Sequence, residues 1–230
     1  GDPCFGMLGM LANVGMLGHT SRLKVFAPEC YASLFEQQMN FFMQGITYEI
    51  EFVPVDTTQQ KVVYEDHSVT VETVPLRHRV PCCGYIFREK PTLPHIRRDM
   101  IDYYGIPLSQ INNIKNGADW TTPEGDIVPN SRLVEPADAP RSYAYCSDTC
   151  YLPDLYERVK DVTVLYHEST YTSENEDRAK IYYHSTARQA ALVAQKAGAG
   201  RLLLGHYSAR YNNENVLLED AKAVFSESYL

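Results

Sequence analysis

Four apolar segments, each with the length of a β-strand, end within two residues of a side chain that can bind a metal ion or carry a proton. These side chains are, in chain order, His78, Asp148, His167 and His206. Segments with the pattern of helices lie between the strands, for example residues 152–159 and 185–197. Alternating strands and helices indicate an α/β fold, in which ligands gather at the carboxyl ends of the strands.

The residue types at these strand ends suggest a metal site. Histidine nitrogen and aspartate oxygen form a mixed ligand set that suits zinc. A single histidine after a strand is more often a core or surface side chain than a ligand, but several at matching positions favour a joint site. From these residues alone, a metal-dependent hydrolase and a set of structural polar groups both stay open.

Length and composition place the chain among globular proteins. Its 230 residues suffice for one substantial domain or two small ones, with 44% hydrophobic and 22% charged residues. The apolar run at residues 6–18 is too short to span a bilayer, and no segment has the pattern of a signal peptide. We therefore predict a cytoplasmic protein without a membrane partner.

The charge pattern leaves room for a nucleic-acid substrate. The net charge of -8 argues against a general nucleic-acid binder. Residues 77–98 nevertheless carry six basic residues and a single acidic one, Glu89. This stretch is either a local RNA-binding surface or a solvated charged face. The six cysteines form no CxxC pair, so a thiolate zinc knuckle is not expected.

Residues 91–140 differ in character from the rest of the chain. Prolines recur through them, sustained periodicity is absent, and Glu124-Gly125 marks a hairpin turn. Two short helices are predicted, at residues 95–104 and 109–115. We interpret this region as an exposed, flexible arm inserted into a single domain that otherwise spans residues 1–230.

Several motifs resemble those of ribonuclease Z, a zinc-dependent endonuclease of the metallo-β-lactamase superfamily. They are Ser-Asp-Thr at 147–149, Tyr-His-Glu-Ser-Thr at 166–170, the stretch from His184 to Ala191, the stretch from Gly205 to Tyr211, and Pro-Leu-Arg-His-Arg-Val-Pro at 75–81. Their order and spacing follow the family along essentially the whole chain. The resemblance implies a metallo-β-lactamase fold, an αββα sandwich, which here is N-terminally incomplete and carries the inserted arm.

The resemblance also implies roles for individual residues. His78 would hold a first zinc ion, Asp148 would bridge two zinc ions, and His206 would hold the second. Asp2 would bind the second zinc and orient the attacking water, and His184 would donate a proton to the leaving 3′ oxygen. Our own reading of the residues adds weaker assignments, each with a structural alternative. Glu168 orients a catalytic histidine or pairs locally, His167 supports the site or the core, and Ser208 and Arg210 bind phosphate or brace their loop.

The family acts on tRNA precursors, removing the 3′ trailer, and is commonly a homodimer. The arm at residues 91–140 would grip the tRNA, although the family's Gly-Pro pair is absent and residues 106–109 read Ile-Pro-Leu-Ser. The first histidines of the main metal motif would precede Gly1, and Pro3 stands where the family has a further histidine. We therefore expect at most one zinc ion and impaired activity. A different metallo-β-lactamase-fold phosphodiesterase and a non-catalytic relic are the alternatives.

Overall fold

The computed structural model describes residues 2–230, and it describes side chains from Gly6 onward. The α-helices of the described chain are α1 (Asp2–Met16), α2 (Ala32–Phe42), α3 (Arg98–Tyr104), α4 (Leu108–Lys115), α5 (Asn130–Leu133), α6 (Leu155–Arg158), α7 (Glu176–Tyr182), α8 (Ala187–Ala197) and α9 (Asn215–Lys222). Short 3₁₀ turns precede α2, at Glu29–Tyr31, and α7, at Ser173–Asn175.

The β-strands of the described chain alternate with these helices, as the sequence pattern predicts. They are β1 (Leu23–Pro28), β2 (Ile50–Val55), β3 (Val62–Glu65), β4 (Val69–Pro75), β5 (Cys83–Glu89), β6 (His95–Ile96), β7 (Trp120–Thr121), β8 (Ile127–Val128), β9 (Val134–Glu135), β10 (Ser142–Cys146), β11 (Val164–Glu168), β12 (Arg201–Gly205) and β13 (Ser228–Tyr229).

The chain forms two compact units. The larger comprises Gly1–Glu65, Thr70–Phe87 and Ser142–Leu230, and the smaller comprises Asp66–Val69 and Arg88–Arg141. In the main sheet the strand order is β13-β12-β11-β10-β5-β4-β3, and β10, β11, β12 and β13 pair in parallel. Because parallel strands point the same way, the carboxyl ends of β10, β11 and β12 meet at one edge of the sheet.

Helix α8 shows how the sequence builds the core of the larger unit. Thr186 accepts a hydrogen bond from the Gln189 backbone, and the Gln189 side chain accepts one from the Thr186 backbone. Such a cap stabilises a helix by about 1 kcal/mol. The helix ends at Gly198, whose φ of +66° favours glycine. In between, Ala190 and Ala194 are fully buried, and their small side chains suit a close-packed core.

The N-terminal part of the larger unit holds a second, smaller core. Strands β1 and β2 pair in parallel, and Leu11, Val25, Phe35 and Met43 pack together beside them. The apolar run at residues 6–18, to which the sequence assigned no secondary structure, lies mostly within α1. Within the residues described, no helix is both long and apolar enough to cross a membrane.

The smaller unit contains most of the residues predicted to form the arm, and it has a hydrophobic core of its own. Ile106, Ile114, Val128 and Leu133 are almost completely buried there. The predicted turn is confirmed, since β7 and β8 form an antiparallel hairpin in which Gly125 has a φ of +95°. The helix predicted from residue 95 begins at Arg98, because residues 95–96 pair with β9. Mobility of this region stays a prediction.

Candidate active site

The sheet edge formed by β10, β11 and β12 collects three of the predicted site residues. Asp148 follows β10, Glu168 is the last residue of β11, and His206 directly follows β12. Asp148 and His206 thus meet at this edge, as the strand pattern predicts, whereas His167 lies within β11. Asp148 and His206 both have left-handed backbone, with φ of 55° and 59°. A non-glycine residue in this conformation costs on the order of 1 kcal/mol and is enriched at functional sites.

Asp148, His184 and His206 form a group of potential metal ligands. One donor atom from each lies within 4.8 Å of the others. His206 Nε2 lies 3.1 Å from Asp148 Oδ1. Zinc binds nitrogen and oxygen at about 2.0–2.2 Å in tetrahedral geometry, which separates neighbouring ligand atoms by roughly 3.3 Å. The donor types of the group and the spacing of the Asp148–His206 pair therefore fit a zinc ion.

His78 lies beside this group but is not part of it. Its ring centroid is 5.1 Å from that of His184. Its Nδ1 is 3.0 Å from the carbonyl oxygen of Tyr183, which can only accept a hydrogen bond. His78 Nδ1 therefore donates, and Nε2 has no hydrogen-bond partner among the residues whose side chains are described. The resemblance implied that His78 is a metal ligand and that His184 donates a proton. In the structure, however, the group of three potential metal ligands contains His184 and not His78.

Glu168 holds His184 in place. Its side chain is fully buried and accepts hydrogen bonds from the backbone amides of Thr149, at 2.6 Å, and Ser185, at 3.0 Å. His184 Nδ1 lies 3.0 Å from Glu168 Oε1. With the carboxylate as acceptor, Nδ1 carries the proton and Nε2 is left for chemistry or for a metal ion.

Thr170 links Glu168 to His206. Its hydroxyl donates its single hydrogen to Glu168 Oε2 at 2.6 Å, so it accepts from His206 Nδ1 at 2.9 Å. This fixes the ring so that Nε2 faces Asp148. The hydrogen bond with Asp148 is the main cause that raises the pKa of His206, and the same hydrogen bond lowers the pKa of the Asp148 carboxyl.

We expect Asp148→Asn to lower the pKa of His206 in metal-free protein. The substitution removes the main cause that raises this pKa, while partial burial, which lowers it, remains. An NMR titration of the His206 imidazole measures the change. The control is Asp154→Asn, which alters an exposed carboxyl that pairs with Arg158. An unchanged His206 pKa in Asp148→Asn would contradict the assignment of this pair.

The structure shows different surroundings for His167 and for the pair Ser208 and Arg210, each of which had a functional and a structural alternative. His167 lies within β11 and is fully buried, its Nδ1 donates to the Glu168 carbonyl oxygen at 2.7 Å, and burial lowers its pKa. Among the described residues, His167 makes no hydrogen bond or ring contact with Asp148, His184 or His206, which favours the structural alternative. Arg210 donates to the Ser208 hydroxyl at 3.2 Å and lies 5.3 Å from the ring centroid of Tyr171.

Asp2 and three hydroxyl residues complete the comparison between the predicted and the observed site. The side chain of Asp2 lies outside the described part of the chain, so its assignment stays a prediction. Thr149, Thr170 and Ser185, which hold the site together, were not singled out from the sequence. Each is a hydroxyl residue next to or near a predicted site residue, and that proximity was the available signal.

Comparisons with known proteins give consistent relatives. No family model matches the chain. Curated proteins named Ribonuclease Z are 47% identical in Bacteroides fragilis strain YCH46 and 45% identical in Bacteroides thetaiotaomicron, both over 230 residues. These alignments cover 100% of this chain and 76% and 73% of the relatives. The chain thus spans about three quarters of their length.

Solved structures show the fold. Human tRNase Z, short form, superposes with a TM-score of 0.58 at 17% identity, covering 91% of this chain and 69% of that chain. The metallo-β-lactamase fold protein YhfI from Bacillus subtilis gives a TM-score of 0.59 at 15% identity, covering 96% of this chain and 66% of that chain. The metallo-β-lactamase fold predicted from the sequence is therefore confirmed.

Proposed function

The chain belongs to the ribonuclease Z family, and on that premise we propose that it is a metal-dependent endoribonuclease that removes the 3′ trailer of tRNA precursors. The observation that supports this most directly is the convergence of Asp148, His184 and His206, whose donor atoms lie within 4.8 Å of one another. Metal-dependent hydrolysis of a phosphodiester at neutral pH uses metal ligands and proton carriers that lie close together in this way.

The metal is zinc in this proposal, and Asp148 and His206 hold it. His78 and His184 are the neighbouring imidazoles that complete the ligand set or act beside it. When bound, the ion supplies positive charge that stabilises the negative charge developing on the scissile phosphate. Asp2, which the sequence assigned to metal binding and to orienting the attacking water, keeps that role as a proposal.

We expect at most one zinc ion per chain. Among the residues whose side chains are described, a single group of potential ligands lies within ligand distance, and its members Asp148 and His206 can hold one ion but supply no second ligand set. Elemental analysis of dialysed protein measures the ratio. Two tightly held zinc ions per chain would contradict this expectation.

His184 acts as the general acid in this proposal. Its Nδ1 is held by the buried carboxylate of Glu168, so Nε2 is the nitrogen that can pass a proton to the leaving 3′ oxygen. Glu168 thus positions the ring. Arg210, which packs over Tyr171 and bonds to Ser208 on the loop after His206, contacts a phosphate of the substrate in this proposal.

Replacing Thr170 with valine is expected to weaken zinc binding by about 10-fold or more, the range found for outer partners of metal ligands. The hydroxyl holds His206 Nδ1 at 2.9 Å, and valine keeps the volume while removing that acceptor. Competition with a chromogenic chelator measures the affinity. Thr172→Val is the matched control, because Thr172 bonds to Tyr211 instead. Equal zinc affinity in both variants would show that Thr170 does not orient His206.

The function is tested with a tRNA precursor that carries a 3′ trailer. We expect zinc-loaded protein to release a trailer with a 5′ phosphate and leave a 3′ hydroxyl on the tRNA, and we expect chelation to stop the reaction. Hydrolysis of bis(p-nitrophenyl) phosphate without precursor cleavage would favour a phosphodiesterase acting on small substrates. Loss of both activities at full zinc occupancy would favour a non-catalytic protein.

The remaining expectations about partners are also proposals. A homodimer is checked by light scattering coupled to size-exclusion chromatography, and a cytoplasmic location by fractionation of cells. We further propose that residues 91–140 contact the tRNA. Their deletion should weaken precursor binding while hydrolysis of bis(p-nitrophenyl) phosphate continues.

A further inference from the structure

A pocket of 420 Å³ contains His184 in its wall, and the proposed chemistry uses none of its other side chains. The wall includes two tyrosines, Tyr151 and Tyr183, and two cations, Arg77 and Lys180. We propose that this pocket binds the nucleotide on the 5′ side of the scissile bond, through base stacking and contact with its 5′ phosphate. The proposal rests on the proposed function, since it takes His184 as the proton donor.

The identity of the nucleotide follows from the chemistry of His184. A general acid must lie within about 2.6–3.2 Å of the oxygen that it protonates. Here that oxygen is the leaving O3′, which belongs to the nucleotide retained on the tRNA. The ribose of this nucleotide therefore lies against His184, and the pocket that shares the His184 side chain is the space open to its base.

The pocket has a suitable size and lining for a nucleotide. Its volume lies within the range of about 300–1,000 Å³ that is typical of small-molecule sites. Tyrosine rings bind bases by stacking, which tolerates any base because every base has an aromatic face. Arginine and lysine bind phosphate through charge-assisted hydrogen bonds. Glu176 also lines the pocket, so the lining is not uniformly basic.

Arg77 is held at the pocket by its backbone. Its amide donates to the Thr149 hydroxyl at 3.2 Å, and its carbonyl accepts from the Cys150 amide at 2.9 Å. Within the described part of the chain, no carboxylate forms an ion pair with Arg77 or Lys180. Both cations are therefore available to a phosphate group.

Tyr183 is tied directly to the catalytic group. It directly follows α7 as its C-cap, in left-handed backbone with a φ of 61°, an uncommon conformation for a tyrosine. Its carbonyl accepts the hydrogen bond from His78 Nδ1 at 3.0 Å, and His184 is the next residue. The position of this tyrosine in the pocket is thus coupled to both imidazoles.

The first experiment measures binding rather than catalysis. Adenosine 5′-monophosphate carries the 5′ phosphate, base and free 3′ hydroxyl of the retained nucleotide, and calorimetry with zinc-loaded protein gives its affinity. We expect Arg77→Ala and Lys180→Ala each to weaken binding by about 10-fold, as loss of a charged hydrogen bond does. The matched controls are Arg79→Ala, since Arg79 lies 5.3 Å from the Tyr182 ring centroid, and Arg178→Ala on the same helix as Lys180; both should bind normally.

Two results would overturn the subsite. Inorganic phosphate binding as tightly as adenosine 5′-monophosphate would mean that the base makes no contact. Nucleotide binding that is equally strong in Arg77→Ala, Lys180→Ala and the controls would place the ligand elsewhere.

The second experiment locates the nucleotide in the substrate. We expect a tRNA precursor with an abasic residue directly 5′ of the cleavage site to show a KM about 10-fold higher, the loss typical of one stacked base. In Tyr151→Leu, which keeps an apolar side chain against the core, the same abasic residue should add little further. An abasic residue directly 3′ of the site serves as the control. Additive effects of the 5′ abasic residue and Tyr151→Leu would contradict stacking on Tyr151.

The two proposals fail in distinguishable ways. Nucleotide binding that depends on Arg77, without precursor cleavage, would refute the endoribonuclease function and leave a nucleotide site. Precursor cleavage that is insensitive to the 5′ abasic residue and to Arg77→Ala would refute the subsite and leave the endoribonuclease function.

Discussion

Asp148→Ala should abolish both zinc binding and cleavage of tRNA precursors. Asp148 is the carboxylate of the donor group, and its Oδ1 lies 3.1 Å from His206 Nε2. It supplies the negative charge to which a bound cation would bind directly. Removing a ligand should cost more than the 10- to 100-fold in affinity that losing an outer partner costs, so we expect a loss of more than about 100-fold. Elemental analysis and precursor cleavage are measured on the same sample.

A second variant guards against a folding artefact. Asp148 has left-handed backbone with a φ of 55°, which asparagine tolerates far better than alanine. Asp148→Asn should therefore fold normally, with an unchanged midpoint of thermal unfolding, and still lose zinc and activity. Full zinc content in Asp148→Asn would show that this carboxylate is not a ligand.

The parts of the site that the sequence predicted are those fixed by strand topology. Asp148 and His206 follow apolar segments that are too short for helices, and parallel strands carry their carboxyl ends to one edge. The resemblance to the family motifs then implied metal-binding and proton-donating roles, which a pattern of apolar residues cannot indicate. Helix α8 was predictable for a similar reason, because Thr186, Gln189 and Gly198 mark its ends with local hydrogen bonds and local backbone geometry.

The parts that were missed depend on contacts between distant residues. Thr170 and His206 are 36 positions apart, and Thr149 and Glu168 are 19 apart, so no sequence window contains either hydrogen bond. The small core of the smaller unit is a similar case. Ile106 and Leu133 are ordinary apolar residues in a proline-rich stretch, and only the folded chain brings them together.

His184 differs from Asp148 and His206 in its place along the chain but lies beside them in the structure. In the sequence, His184 precedes a helix rather than ending a strand, which separates it from His206. In the structure, Glu168 bonds to Nδ1 of His184, and one ring nitrogen of His184 lies within 4.8 Å of the donor atoms of Asp148 and His206. A metal-bound histidine and a proton-donating histidine both benefit from a carboxylate at Nδ1. Removing a metal-bound histidine lowers the metal content, whereas removing a proton-donating histidine leaves the metal content unchanged.

His184→Ala should reduce precursor cleavage by about 10²- to 10⁴-fold, the usual contribution of a general acid, while zinc content stays unchanged. Asp148 and His206 remain to hold the ion, and His78 lies beside them with a free Nε2. Zinc content, the kcat for precursor cleavage and the midpoint of thermal unfolding are measured together.

Two controls make the His184 result specific. Glu168→Gln keeps the shape of the residue that orients His184 but weakens its hold on the Nδ1 proton, so it should lower kcat and retain zinc. Arg178→Ala, on the neighbouring helix, should leave all three measurements unchanged. Near-normal turnover in His184→Ala would show that the residue only precedes the cap of α8. Loss of zinc would instead make His184 the third ligand of the site, because the proton donor role leaves the metal in place.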